Sequence, residues 1–189
     1  MFMSVVSPEF DWPEDTVIAA HWRRNGDQGA GAPLGTAAIG WKAGAVGFLI
    51  TRTELAGDNV LGCARLDIAQ GDWALRVDEV AFPEGAIAHR HTHSGSGWRH
   101  LVSGELRIET THGTTVMKPG DSWFEPAQTP VRAGALQQTG VTRFVRCMAI
   151  PLADVGRSTF QLVSPEDAAL PRLQATHRHI DHPIQVDAG

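Results

Sequence analysis

From Leu75 to Ile150 the apolar positions fall into short runs parted by turn signals. Leu75, Val77, Val80 and Phe82 precede Pro83-Glu84-Gly85, and later breaks come at Ser103-Gly104, Thr111-His112-Gly113, Pro119-Gly120 and Glu125-Pro126. Strand-length runs with turns about every eight to twelve residues predict an all-β sandwich or barrel. Upstream, the β-branched and aromatic runs at Trp41–Arg52 and Val60–Ile68 predict further strands that extend or cover that sheet. The rest of the region before residue 73 is mixed, with Trp12, Trp22 and Trp41 among Gly and Pro and no repeat. Gly26 to Gly35 reads as a flexible loop, because a phosphate-binding loop would also need its lysine and a strand and helix on either side. Ser164–Leu173 opens with Ser, Pro and two acids, which starts a helix, and Pro171 limits it to about two turns. The pattern divides the chain into an N-terminal extension (1–72), a barrel (73–152) and a C-terminal extension (153–189).

The candidate chemistry lies in GAIAHRHTHSGSGW, where His89, His91 and His93 alternate. Alternate residues of a strand share a face, so all three imidazoles are expected on one side. Imidazole is the commonest protein ligand for Zn, Fe, Cu and Ni, which makes a same-face pair half of a metal site. Same-face neighbours lie about 6.6 Å apart, two rings can lean onto one ion at roughly 2.1 Å from each nitrogen, and three rings span about 13 Å. One terminal histidine is therefore expected to have another task, such as a hydrogen bond or a substrate contact. The alternative is a polar strand at a barrel mouth whose rings bond to water and backbone.

The order Gly85, five residues, His91-Thr92-His93, ten residues, Gly104 resembles the first motif of the cupins, and GDSWFEPAQTPV from Gly120 resembles the second, matching at Gly120 and Pro126. The resemblance covers roughly Ala74 to Ile150. It implies an all-β fold, an antiparallel jelly-roll β-barrel of about six to eight strands; the N-terminal strand extension and the short C-terminal helix read from the residue pattern lie outside it. It also implies a divalent metal ion (Fe, Zn, Mn or Ni) with His91 and His93 among its ligands. The family's other ligands are replaced: Gly97 stands at its glutamate and Val131 at its third histidine, while Gln128 and Ala135 replace a glycine and an asparagine. Glu125, beside Pro126, is the first candidate for a substitute ligand, and His89 the next. His100 ranks below them, since strict alternation points it away from the face of Gly97. Trp98, Trp123, Phe124 and His100 are candidates to line a pocket for an organic substrate, against the alternative that the aromatic residues are core. Arg90, Arg99 and Arg107 could meet an anionic ligand, with surface solvation as the default.

Composition narrows the partners. The 189 residues, 42% hydrophobic and 20% charged, suit one globular domain with extensions. A net charge of −5 with only two lysines, Lys42 and Lys118, argues against a nucleic-acid surface. No apolar run reaches membrane-helix length, and Met1 to Phe10 lacks the basic-then-apolar order of a secretory signal, so a cytoplasmic protein is expected. Cys63 and Cys147 form no metal-ligand spacing and read as buried thiols. His177, His179 and His182 lie in a polar tail that reads as solvated or as a subunit contact, and the resemblance implies a homodimer. Two functions follow. One is a metal-dependent, dioxygenase-like oxidoreductase acting on a small organic molecule, because iron held by two His and a carboxylate keeps places for O₂ and substrate. The other is a non-catalytic barrel that binds a metabolite or ion as a sensor or store.

Overall fold

The computed structural model describes residues 1–11, 13–25, 33–40, 42, 44–136 and 140–186. Trp12, Trp41 and most of the expected 26–35 loop lie outside the described residues. Among the described residues fifteen strands form three five-stranded sheets, and every strand pair is antiparallel.

The N-terminal sheet contains β1 (Phe2–Val6), β2 (Thr16–Arg24), β3 (Gly35–Ile39), β4 (Val46–Thr51) and β5 (Val60–Arg65), in the order β3-β2-β4-β1-β5. The two expected upstream runs become β4 and β5, trimmed at their ends. The first barrel sheet contains β6 (Gly71–Pro83), β8 (Ser96–Ser103), β11 (Ser122–Glu125), β13 (Val141–Pro151) and β15 (Ala175–Val186), in the order β11-β8-β13-β6-β15. Facing it is the second barrel sheet, built from β7 (Ile87–His93), β9 (Leu106–Thr110), β10 (Gly113–Met117), β12 (Val131–Ala135) and β14 (Phe160–Leu162), in the order β10-β9-β12-β7-β14. Antiparallel strands alternate between these two sheets, as the jelly roll requires. The expected turns are present: Gly85 and Gly104 take φ values of 69° and 76°, which a residue with a Cβ rarely adopts.

The central strand β13 is buried along nearly its whole length, and β6 is buried continuously from Ala74 to Val80, rather than alternately. The reason is that both of their faces are covered. Leu75 and Val77 of β6 and Val145, Cys147 and Ala149 of β13 pack against Met3, Val5, Ala20, Trp22, Phe48 and Ile50 of the N-terminal sheet. Val80, Phe82 and Phe144 point the other way, into the barrel, where they meet Leu106, Ile108 and Val131. The N-terminal region is thus a layer laid on the outside of the barrel. Cys147 is buried in that layer, which pushes its thiol well above the usual range, and Cys63 is half-buried; both are free thiols.

The C-terminal segment differs from its sequence reading in two ways. The expected helix is a single short 3-10 stretch, Pro165–Ala169, with Pro at its start and an extended Leu170 just before Pro171. The histidine-bearing tail is ordered as β15, paired along β6 from Gly71 to Ala81, with His177 and His182 exposed. The C-terminal segment therefore supplies an edge strand to each barrel sheet. Among the described residues no helix is long and apolar enough to cross a membrane.

Candidate functional site

The barrel encloses a cavity of about 230 Å³ lined at one end by aliphatic and aromatic side chains and at the other by His91, His93, Glu125 and several guanidiniums. A bulge in β7 sets which histidines reach it. Val131 of β12 pairs with His91, but Ala133 pairs with Ala88, so three residues of β7 span what two span on β12. The extra residue breaks the alternation. Ala88, His91 and His93 all line the cavity, while His89 does not. The expectation that His89 shares the face of the other two is corrected on this ground. Its backbone does take part, because the His89 carbonyl oxygen lies 2.7 Å from His91 Nδ1.

Those contacts assign the tautomers. His91 Nδ1–H donates to the His89 carbonyl, which leaves the lone pair on Nε2. At His93, Arg146 Nη1 lies 3.3 Å from Nε2 and can only donate, so Nε2 accepts and Nδ1–H donates to Thr159 Oγ1 at 3.1 Å. The two rings meet edge to face at 4.9 Å, and Phe160 of β14 stacks on His91 at 4.2 Å. Burial lowers the His91 pKa to about 4; the His89 carbonyl and the Glu125 charge pull it up, and Arg146 and Arg99 push it down. His93 is lowered well below the ordinary value by burial and then by Arg146 and Arg99. Both rings are neutral at neutral pH.

Glu125 faces the cavity as its place beside Pro126 suggested, but it is already engaged. Its Oε2 is 2.8 Å from Arg99 Nη2, and its Oε1 accepts from Trp123 Nε1 at 2.8 Å. Arg99 is fully buried, which pulls its pKa down to about 10 against the Glu125 charge that raises it, so it stays charged at neutral pH. Arg146 donates through Nε and Nη2 to Asp78 Oδ2 at 3.1 and 2.8 Å. A divalent ion between His91 and His93 would therefore share this end of the cavity with two guanidiniums, and the His93 lone pair and the Glu125 carboxylate are spent on them. Among the described residues no three His, Cys, Asp or Glu side chains come together as a ligand group. Nor is there room at position 97 for the family's glutamate, because a Cβ on Gly97 would overlap the Cys147 carbonyl of the neighbouring strand. These donors do not fit a divalent metal.

The remaining candidates separate by strand parity. Trp123 lies in the cavity wall. Trp98 and Phe124 do not: they pack on the outer face with the N-terminal sheet, where Trp98 Nε1 donates to the Met3 carbonyl at 2.8 Å and its ring lies over Gly62. His100 also leaves the cavity and bonds Ser122 Oγ through Nδ1 at 2.9 Å. On β8 and β11 the inward positions are Arg99, Leu101, Trp123 and Glu125, so only half of the aromatic pair Trp123-Phe124 can face a ligand. Arg107 is 43% exposed and pairs with Glu109. Sequence reasoning missed Arg146, Phe160 and Arg172. A charged residue within the apolar run FVRCMAI was the available signal for Arg146; Phe160 and Arg172 come from a segment whose docking carries no local signature.

Residues 78–144 match the family model described as a cupin domain. Among solved structures the chain is similar to the DMSP lyase DddQ from Ruegeria pomeroyi DSS-3, at 20% identity over 49% of this chain and 45% of that one, with a TM-score of 0.43. It is also similar to an RmlC-like cupin from Shewanella frigidimarina NCIMB 400, at 21% identity over 48% of this chain and 86% of that one, with a TM-score of 0.38. A third similarity is to the polyketide cyclase RemF from Streptomyces resistomycificus, at 15% identity over 48% and 61% of the two chains, with a TM-score of 0.39. The chain thus spans less than half the length of the DMSP lyase. Comparison with curated proteins gives no match. The matched residues coincide with the strands that carry both motifs, and over that stretch the chain carries a cupin domain.

Proposed function

We propose that this protein binds a small organic molecule inside its barrel, with the molecule's apolar body on the aromatic wall and its polar head at the arginine and histidine end. One observation carries the reading: a cavity of about 230 Å³ in which apolar walls from Val80, Leu106 and Trp123 converge on a few fixed polar groups, His91 and Arg146 among them. Ligand sites are typically built this way. The polar groups are held in place before any ligand arrives, by the His89 carbonyl, Thr159 and Asp78. Pre-ordering of this kind lowers the entropy cost of binding.

A metal-dependent, dioxygenase-like oxidoreductase would need His91, His93 and Glu125 free to ligate, and Arg146, Arg99 and Trp123 occupy two of the three. The binding reading is therefore the stronger. Its test is a titration of the full chain with phenylacetate, phenylacetamide and phenethylammonium, three probes of nearly one shape, followed by tryptophan fluorescence and calorimetry. Saturable binding of at least one probe, at one per chain, is expected, and Ala133→Phe, which fills the cavity from β12, should remove it. The reading is wrong if no probe saturates, or if Ala133→Phe binds as well as the parent.

A further inference from the structure

The polar end of the cavity is cationic beyond what its own carboxylates neutralise. Arg99, Arg146 and Arg76 reach it from the first barrel sheet, and the exposed Arg172 and Arg178 stand at its mouth. Glu125 holds Arg99 at 2.8 Å, Asp78 holds Arg146 at 2.8 Å, and Asp181 holds Arg76 at 2.6 Å. Arg178 leans on the same acids, 3.7 Å from Asp78 and 3.5 Å from Asp181. Arg172 lies 4.1 Å over the Phe160 ring, with no carboxylate at ion-pair distance among the described residues. Five guanidiniums against three carboxylates leave a formal surplus of two positive charges, since both imidazoles are neutral.

The donor count points the same way. A guanidinium has five N–H donors and accepts nothing. Arg146 commits three of its five to described partners, through Nε and Nη2 to Asp78 and through Nη1 to His93. Arg99 donates Nη1 to the Gly97 carbonyl and Nη2 to Met148 Sδ, two of its five, and pairs with the Glu125 charge at 2.8 Å. Carboxylates accept such N–H pairs in parallel, the geometry that makes arginine suited to them. The low dielectric of an apolar wall strengthens that attraction and makes a cation here costly. The wall itself, with Trp123, Phe144 and Phe160, requires the anion to carry an apolar body.

We infer that the cavity takes a small organic anion, a carboxylate on an apolar body, held by the guanidinium cluster that stands where a divalent metal would have to bind. The inference rests on the small-molecule reading of the same cavity and names its ligand class. Arg146 is the central binding group, and Arg172 and Arg178 raise the concentration of anions at the mouth.

The test is the order of affinities among the three probes, by calorimetry at low and at physiological salt. Phenylacetate is expected to bind at least about tenfold more tightly than phenylacetamide, and phenethylammonium more weakly than either. Arg146→Gln should lower phenylacetate affinity about tenfold or more while changing phenylacetamide less than about threefold. Because Arg146→Gln leaves Asp78 without its main partner, Asp78→Asn/Arg146→Gln serves as the charge-balanced control, and Arg172→Gln, at the exposed mouth, should weaken phenylacetate by roughly threefold with no loss of folding. Equal or tighter binding of the amide or the ammonium overturns the anion inference and leaves the small-molecule reading standing. Absence of saturable binding by all three overturns both. Stoichiometric Mn²⁺ or Zn²⁺ binding that His93→Ala abolishes also overturns the inference, because the ion would have displaced Arg146.

Discussion

Two buried charge clusters lie on opposite faces of the first barrel sheet, made of the same residue types, and they differ in one respect. On the outer face Glu79 accepts the Leu34 and Gly35 N–H groups at 2.6 and 3.2 Å, Trp22 Nε1 at 3.4 Å and Arg143 Nη1 at 3.3 Å, with the His179 ring 3.6 Å away. Burial pushes the Glu79 carboxyl up, but the His179 ring, the Leu34 N–H and the Arg143 charge outweigh it and hold the pKa below the ordinary value. One acid is saturated by partners from the N-terminal sheet, β13 and β15, so this cluster fastens three parts of the chain together. On the inner face the arginines outnumber the acids and an open cavity adjoins them. The saturated cluster holds the fold together; the one with charge and donors in excess beside a cavity is where we propose that a ligand binds.

The comparison breaks most visibly at Glu79. Glu79→Gln removes the acid and leaves Arg143 and its neighbours buried, so it is expected to cost about 3–5 kcal/mol in urea unfolding. The folded fraction should still bind phenylacetate within about threefold of the parent. A cost below about 1 kcal/mol, or a parallel loss of ligand affinity, would show that the two clusters are not separate in role.

A smaller effect sharpens the inner cluster. The His91 pKa is about 4 in the folded chain against 6.5 as the ordinary value. Between those values the unfolded chain binds the proton and the folded chain does not, so stability falls as pH falls. The contribution is level above about pH 6.5 and reaches up to about 3 kcal/mol near pH 4, with His93 acting in the same direction. Urea midpoints at pH 7, 6 and 5 should show a slope that His91→Gln reduces; identical slopes would contradict the neutral, buried ring. The smallest effect is expected outside both clusters, at Arg107, whose pair with Glu109 is partly exposed. Arg107→Ala should change stability by less than about 1 kcal/mol, and a larger loss would mean that exposed pairs matter here as much as buried ones.

The barrel was legible because its turns are written locally: Gly85 and Gly104 sit at positive φ as their turn contexts require. His91 and His93 were legible because two residues apart is a same-face spacing over so short a distance. His89 was not, because a bulge is a two-strand property and only pairing with β12 reveals it. Trp98 and Phe124 were equally ambiguous, since both faces of the first barrel sheet are apolar and only the N-terminal layer decides which is inside. β15 read as a polar tail because its exposed residues, His177 and His182 among them, outnumber its buried ones, as suits an edge strand. The guanidinium cluster is drawn from β6, β8, β13, β15 and the segment just before β15, and no single window of sequence brings those together.

Diffraction from crystals grown with 4-bromophenylacetate is the most direct measurement. The account predicts one bromine anomalous peak within the barrel near Trp123 and Phe160, with the carboxylate on Arg146. Density for a divalent ion ligated by His91 and His93, with Arg146 turned aside and no bromine in the cavity, would contradict it.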